Sequence, residues 1–333
     1  MKAILKKTPW LWTGLMFIVM AMMISACGSG NKASSGREAA VPTATDHAEE
    51  AAPAMRTVTD STGRQVEIPS SPERVVYTDN TVGDILLLGI QPVGLVQGGL
   101  ENAVYKEQIK DIPDVGWPIS AEKLIGIQPD VIITSVTDGA QIEVMSKIAP
   151  VLVTNEWDPM AERIKRVGEW FGHEKEAEAF LSKHEEKVAD MWKAMKADGT
   201  IQAGETASVF QHMLKANRLS VYTTSYLASF VYDKNGFKPT EAIQKLIEDP
   251  KGYGYVDISS EILPELAGDR IFIVYMDAEE GEAAKKMISE PIWRDLPAVK
   301  AGKVYFIDAS LGVSTDPLVR EKLVEVLPEI LKQ

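Results

Sequence analysis

Cys27 is the only thiol in 333 residues, and its neighbours give that thiol a chemistry. Ile24, Ser25 and Ala26 stand directly before it, behind an uncharged run over residues 8–26 that follows Lys2, Lys6 and Lys7. A basic start, an apolar centre and small residues ahead of a cut make an export signal. Ile-Ser-Ala-Cys at that place looks like a bacterial lipobox, where the cysteine is acylated and becomes the mature N-terminus. The apolar run is close to the ~20-residue spanning minimum and lacks a stop-transfer flank. The expectation is a signal peptide over 1–26 and lipidation at Cys27, which places the rest of the chain on the extracytoplasmic face of the cell membrane. With no second cysteine there is no intramolecular disulfide, so the exported domain must be stabilised by its own core.

Other reactive groups are sparse. A zinc or manganese site needs three or four converging His, Asp or Glu side chains. Only four histidines exist, and His47 lies in a polar stretch. No metal site is expected. His212 is the one histidine placed to reach a ligand, and with Met213 beside it could ligate a haem iron. There is no phosphate-cradling glycine loop, no HExxH and no GxSxG, so the chain does not read as an enzyme. The charge of −13 excludes nucleic acid and a polybasic membrane patch as partners.

Residues 27–54 are small and polar, with Val41 as the only large aliphatic. Such a segment cannot bury enough apolar surface to fold, and as a flexible tether it would reach about 30 Å from the lipid. From Met55 the composition is globular and exceeds what one core usually holds, so two lobes are expected, over 55–158 and 199–333. Short β-rich runs at 74–77, 130–134, 151–153, 208–210, 270–275 and 303–307 alternate with helical stretches, as in stacked βα units. Between the lobes, residues 159–198 read as one long helical segment. Phe180, Leu181, His184, Val188, Met191 and Met195 recur there at helical spacing, and residues 174–196 would span about 35 Å.

An internal duplication fits two lobes. At a constant offset of 139, Glu122 aligns with Glu261, Leu124 with Leu263, Asp130 with Asp269 and Ile132 with Ile271. Each set is an acidic residue at a helix start, an apolar face, a turn and a buried strand.

These segments resemble the periplasmic-type binding proteins of ABC importers for ferric siderophores, haem and cobalamin. The resemblance is carried by Arg74-Val75-Val76-Tyr77, by residues 83–94, by Gln128-Pro129-Asp130-Val131-Ile132-Ile133 and by Ile148-Ala149-Pro150. Gly236-Phe237-Lys238-Pro239 and residues 292–306 continue it, and it runs from about Val66 to the C-terminus. It implies an α/β fold of two Rossmann-like lobes joined by a single long rigid helix, with a shallow cleft between them. It implies a monomer that delivers its ligand to a membrane permease with a cytoplasmic ATPase. An acidic residue on each lobe docks onto permease arginines in that family, and the matching positions are Glu122 and Glu261. It implies no cofactor, since iron would be held by the siderophore alone. A haem or cobalamin binder is the alternative within the family, and a tethered sensor or scaffold without a small ligand is the alternative outside it.

In open α/β sheets ligands bind beyond the carboxyl ends of the strands. That rule selects Thr78, Asn80, Trp117, Trp157, Arg218, Tyr222, Tyr226 and Tyr275 as ligand-binding candidates, an aromatic set with a few donors. Clustered Arg or Lys, which a polyanionic ferric tris-catecholate requires, is missing near these loops. A hydroxamate or citrate–hydroxamate complex fits better, with Arg218 for an anionic ligand oxygen.

Overall fold

The computed structural model describes residues 54–332, apart from 102, 214 and 249–253. The export signal, Cys27 and the tether up to residue 53 lie outside the described residues.

Runs of β-branched residues buried on both faces make parallel sheets, because helices must cover each side. The first lobe follows that rule. Strands β1 (Met55–Thr59) and β2 (Gln65–Pro69) form a hairpin, and then β3 (Val75–Tyr77), β4 (Gly94–Leu95), β5 (Val131–Thr134) and β6 (Val151–Val153) form a parallel sheet in the order β4-β3-β5-β6. Successive side chains enter opposite cores. Val75, Tyr77, Val131 and Ile133 pack on Ile164, Val167 and Trp170 of the helix Met160–Phe171. Val76, Ile132 and Val151 pack on Leu124 and Met145.

The hairpin covers the open edge of β6. Asp60 accepts from the Val153 amide at 3.2 Å and from Arg64 Nε at 2.8 Å, and Ser61 N donates to Val153 O at 3.0 Å. Burial pushes the Asp60 carboxyl up, but hydrogen bonds from Thr62, Arg64 and Val153 outweigh it and hold the pKa below the usual range.

The second lobe holds β7 (Thr206–Met213), β8 (Arg218–Tyr222), β9 (Lys238–Pro239), β10 (Tyr255–Ile258), β11 (Arg270–Tyr275) and β12 (Val304–Asp308) in one six-stranded sheet. Its order is β10-β8-β7-β11-β12, with β9 beside β7. This sheet is mixed. β8 runs antiparallel to both β7 and β10, which the expectation of stacked βα units did not include.

The helical segment between the lobes is two helices, not one. Met160–Phe171 ends at Gly172, which takes the left-handed conformation (φ 71°) that a side chain would resist, and Glu174–Ala197 follows. The latter, 24 residues long, is the linking helix. Ala177, Phe180 and Leu181 join the first lobe's core, and Val188, Met191, Trp192 and Met195 join the second's. His184 packs between them, stacked on Phe180 and bonded to Glu321 at 2.6 Å. A second connection crosses near the C-terminus. Asp316 accepts from Gly83 N at 2.7 Å, and Thr315 Oγ1 donates to Glu156 O at 3.0 Å.

The duplicated residues hold equivalent positions. Asp130 accepts the amides of Glu73 and Arg74 at the entry to β3 (2.8 and 3.0 Å), and Asp269 accepts the Thr206 amide at the start of β7 (2.9 Å). Leu124 and Leu263 are both fully buried, as are Ile132 and Ile271. The same offset pairs Ser120 with Ser259, and each hydroxyl caps the turn that carries the glutamate, from Lys123 N at 3.3 Å and Glu261 N at 3.2 Å.

Candidate ligand-binding site

The carboxyl ends of β3, β6, β11 and β12 turn toward the junction of the lobes. Between them lies a cavity of about 440 Å³. Asn80, Glu101, Tyr105 and Glu156 line it from the first lobe, and Tyr226, Met276, Ser310 and Val313 from the second.

Aromatic rings run away from this cavity as a ladder. Trp157 lies 5.4 Å from Tyr226, Tyr226 lies 5.5 Å from Tyr222, and Tyr222 lies 6.2 Å from Tyr255. Arg218 closes the ladder 5.9 Å above the Tyr255 ring. Tyr226 opens the helix Tyr226–Val231 with φ at +49°, a left-handed conformation that an aromatic residue rarely adopts. Strain of this kind persists where the surroundings over-determine it, and it collects at ligand sites. Trp157 is 40 % exposed, so the ladder offers a ring face to solvent.

The expected ligand residues divide. Asn80 and Tyr226 line the cavity, and Trp157 packs on Tyr226 with the ring planes tilted by 56°. Arg218 sits at the ladder's end, with its charge opposed by Asp257 at 3.4 Å. Tyr222 is 1 % exposed and backs the ladder without a surface of its own. Thr78 is buried beneath the loop, its hydroxyl donating to Ile133 O at 3.3 Å. Two stand apart: Trp117 is 68 % exposed and Tyr275 packs on Gly281, and neither lines the cavity. Because β8 reverses direction, the strand-end rule does not apply to Tyr222 as it does to Asn80. His212 lines neither the cavity nor its rim, and the Met213 thioether lies 2.9 Å from Arg218 Nη2. Among the described residues no three His, Cys, Asp or Glu side chains converge as metal ligands.

Sequence reading missed Glu101, Tyr105, Glu156, Ser310 and Tyr255. Two had a signal: Glu156 directly precedes the selected Trp157, and Ser310 follows the strand expected at 303–307. Met276, also missed, directly follows the selected Tyr275.

The electrostatics of the cavity are acidic. Glu101 and Glu156 line it, and no Lys, Arg or His among the described residues does. Beneath it, burial and the nearby Glu156 push Asp79 up to about 7. Burial also raises Glu156. Asp316 is pushed up to about 7, again by burial first and Asp84 next. Such a pocket repels polyanions and accepts a neutral or cationic guest with polar groups at its edge.

Residues 75–311 match the family described as periplasmic binding protein. The iron(3+)-hydroxamate-binding protein FhuD of Bacillus subtilis is 33 % identical over 270 residues, covering 80 % of this chain and 83 % of the relative. The iron(3+)-hydroxamate-binding protein YxeB of the same organism is 28 % identical over 330 residues, covering 95 % and 94 %. The crystal structure of Staphylococcus aureus SirA complexed with staphyloferrin B superposes with a TM-score of 0.71 at 27 % identity, covering 83 % of this chain and 98 % of that one. With two α/β lobes, a linking helix and a cleft at their junction, the chain belongs to the periplasmic binding protein family.

Proposed function

We propose that this protein captures a ferric hydroxamate siderophore in the cleft between its lobes and delivers it to an ABC importer. The observation that carries this is the chemistry of the cleft: carboxylates, hydroxyls and an aromatic ladder, with no basic side chain among the described lining residues. A ferric tris-hydroxamate is neutral, or cationic where its tail bears an amine, and suits such a cleft. Two relatives named for iron(3+)-hydroxamate binding support the reading. The protein itself supplies no iron ligand and needs no cofactor, the metal being held by the siderophore. Arg218 serves as an aromatic clamp, since Asp257 already opposes its charge.

The test is calorimetric titration of the exported chain with ferrioxamine B and with a ferric tris-catecholate. The hydroxamate binds and the catecholate binds at least tenfold more weakly. Trp157→Ala and Tyr226→Ala each lower hydroxamate affinity by about ten- to a hundredfold, the ~1.4–3 kcal/mol of a ring at the centre of a contact. Tighter binding of the catecholate sinks the assignment of ligand class.

The protein acts as a monomer, held on the outer face of the cell membrane by acylated Cys27. The Ile24-Ser25-Ala26-Cys27 motif supports that reading, and among the described residues no helix is long and apolar enough to cross a membrane. Stable anchoring takes about two acyl chains. Cys27→Ala therefore releases the protein or leaves it unprocessed. Unchanged palmitate labelling of that variant in cells contradicts the anchor.

A further inference from the structure

Beside the cleft, where the linking helix passes between the lobes, lies a second and larger cavity of about 780 Å³. Met160, Val188 and Phe230 give it an apolar wall, with Trp157 at the rim facing the cleft. Arg320 and Ser229 lie opposite.

Arg320 is 6 % exposed. Its Nη2 donates to Tyr226 O at 2.8 Å and to Ser229 Oγ at 2.6 Å, and its Nη1 has no hydrogen-bond partner. Burial pulls its pKa down to about 10, so it still carries its charge at neutral pH. The carboxylate that acts on it through space, Asp316, already accepts the amides of Gly83 and Leu318.

The other charges around the cavity are ion-paired, except Asp233. Arg163 pairs with Asp84 at 2.8 Å, Asp158 with Arg166 at 2.8 Å, His184 with Glu321 at 2.6 Å, and Glu185 with Lys234 at 2.5 Å. Asp233 accepts the Asn235 amide at 2.8 Å. Arg320 has the Phe230 ring 5.7 Å from its guanidinium carbon and Asp316 acting through space, but no carboxylate bonded to it, an arrangement proteins avoid for a buried cation unless something completes it.

We propose that this flank cavity is a second ligand site, taking a small amphipathic carboxylate. The carboxylate pairs with the Arg320 guanidinium and accepts from the Ser229 hydroxyl, whose proton turns to it from Tyr226 O (2.7 Å), and the apolar part lies on Phe230 and Val188. A single buried guanidinium calls for a single negative charge, which favours a carboxylate over a phosphate dianion. The occupant touches the second lobe and the linking helix, so it stabilises the contact between them.

The probe is phenylacetate, titrated by calorimetry into the exported chain, with uncharged phenylacetamide and inorganic phosphate as controls. Phenylacetate binds and raises the melting temperature; the amide and phosphate bind at least about tenfold more weakly. Arg320→Met abolishes binding, and Ser229→Ala, a partly solvated position, weakens it severalfold with the fold intact. Saturating ferrioxamine B leaves phenylacetate affinity unchanged. Equal affinity for the amide, retained affinity in Ser229→Ala, no heat at millimolar phenylacetate, or displacement by ferrioxamine B overturns the site. Should Arg320→Met fail to fold, the amide control and Ser229→Ala decide. Ferrioxamine B binding is measured in the same samples, so failure of this site leaves the reading of the cleft standing.

Discussion

Arg163→Met lowers the stability of the folded domain by about 3–5 kcal/mol, the cost of breaking a buried ion pair from one side. Arg163 and Asp84 are both fully buried. The guanidinium uses all five of its N–H donors. Nε and Nη2 bond Asp84 at 2.8 and 3.2 Å, Nη1 bonds Glu156 O and Asp158 O at 3.2 and 2.9 Å, and Nη2 also bonds Thr315 O at 2.8 Å. Burial alone would lower its pKa, yet Asp84 more than compensates and the net shift is upward. Methionine fills a similar volume but leaves the Asp84 carboxylate without its cation and takes the Arg163 donors from Asp158 O and Thr315 O, while Glu156 O keeps only the Thr315 hydroxyl. The effect should be visible as a fall in melting temperature of order 10 °C. It should also appear as faster amide exchange at Gly83 and Leu318, which flank the crossing to the C-terminal segment. Asp84→Asn in the same chain should recover part of the loss, because the orphaned charge is then gone. A loss under about 1 kcal/mol, with exchange unchanged, would mean the junction does not depend on this pair.

Glu122→Ala and Glu261→Ala should abolish most uptake while ferrioxamine B affinity stays within about twofold of the parent. Both carboxylates are exposed, one on each lobe, and neither lines the cleft. The repeat places each just after a capping serine, Ser120 or Ser259, so each projects from the start of a helical turn at the equivalent site of its lobe. Two related carboxylates suit a permease with two related basic sockets. Losing one charge-assisted contact costs about 1–3 kcal/mol, or roughly ten- to a hundredfold in productive docking. Radiolabelled iron uptake in cells carrying each variant, beside calorimetry on the purified chains, separates the two effects. Variants that lose affinity but transport normally would reverse the assignment of the surfaces.

Much of the scaffold was legible because it is written in local, periodic signals. The strands β3, β5, β6 and β11 are runs of mostly buried residues rich in β-branched and aromatic side chains, which announce a covered sheet without reference to anything distant. The linking helix announced itself through apolar residues at helical spacing, and only its break at Gly172 needed the structure. The duplication was legible because the same residue types must recur wherever one βα unit is used twice. Glu122 and Glu261 were found by that route, and so could Ser120 and Ser259 have been. The hairpin of β1 and β2 was not read, since its stability comes from Asp60 reaching Val153, 93 residues away.

The cleft was legible only in part, and the reason is geometric. A strand-end rule finds loops, but which side chains in a loop converge depends on strand direction and on how the two lobes meet. The reversal of β8 turned Tyr222 inward and brought Tyr255 beside it, and the lobe junction, not any sequence pattern, set Trp157 against Tyr226. Arg163 and Arg320 gave no signal at all. Arg163 reaches Thr315 across 152 residues, and Arg320 bonds Tyr226 across 94, each by a backbone carbonyl that carries no residue identity. By itself the sequence determined two α/β lobes, the helix between them, the repeated acidic pair and the family. The tertiary structure alone decided which aromatic residues gather at the cleft, that the cleft is acidic, and which buried cation lacks a bonded carboxylate. Those properties arise where distant segments meet, and contacts between distant segments leave no period in the chain.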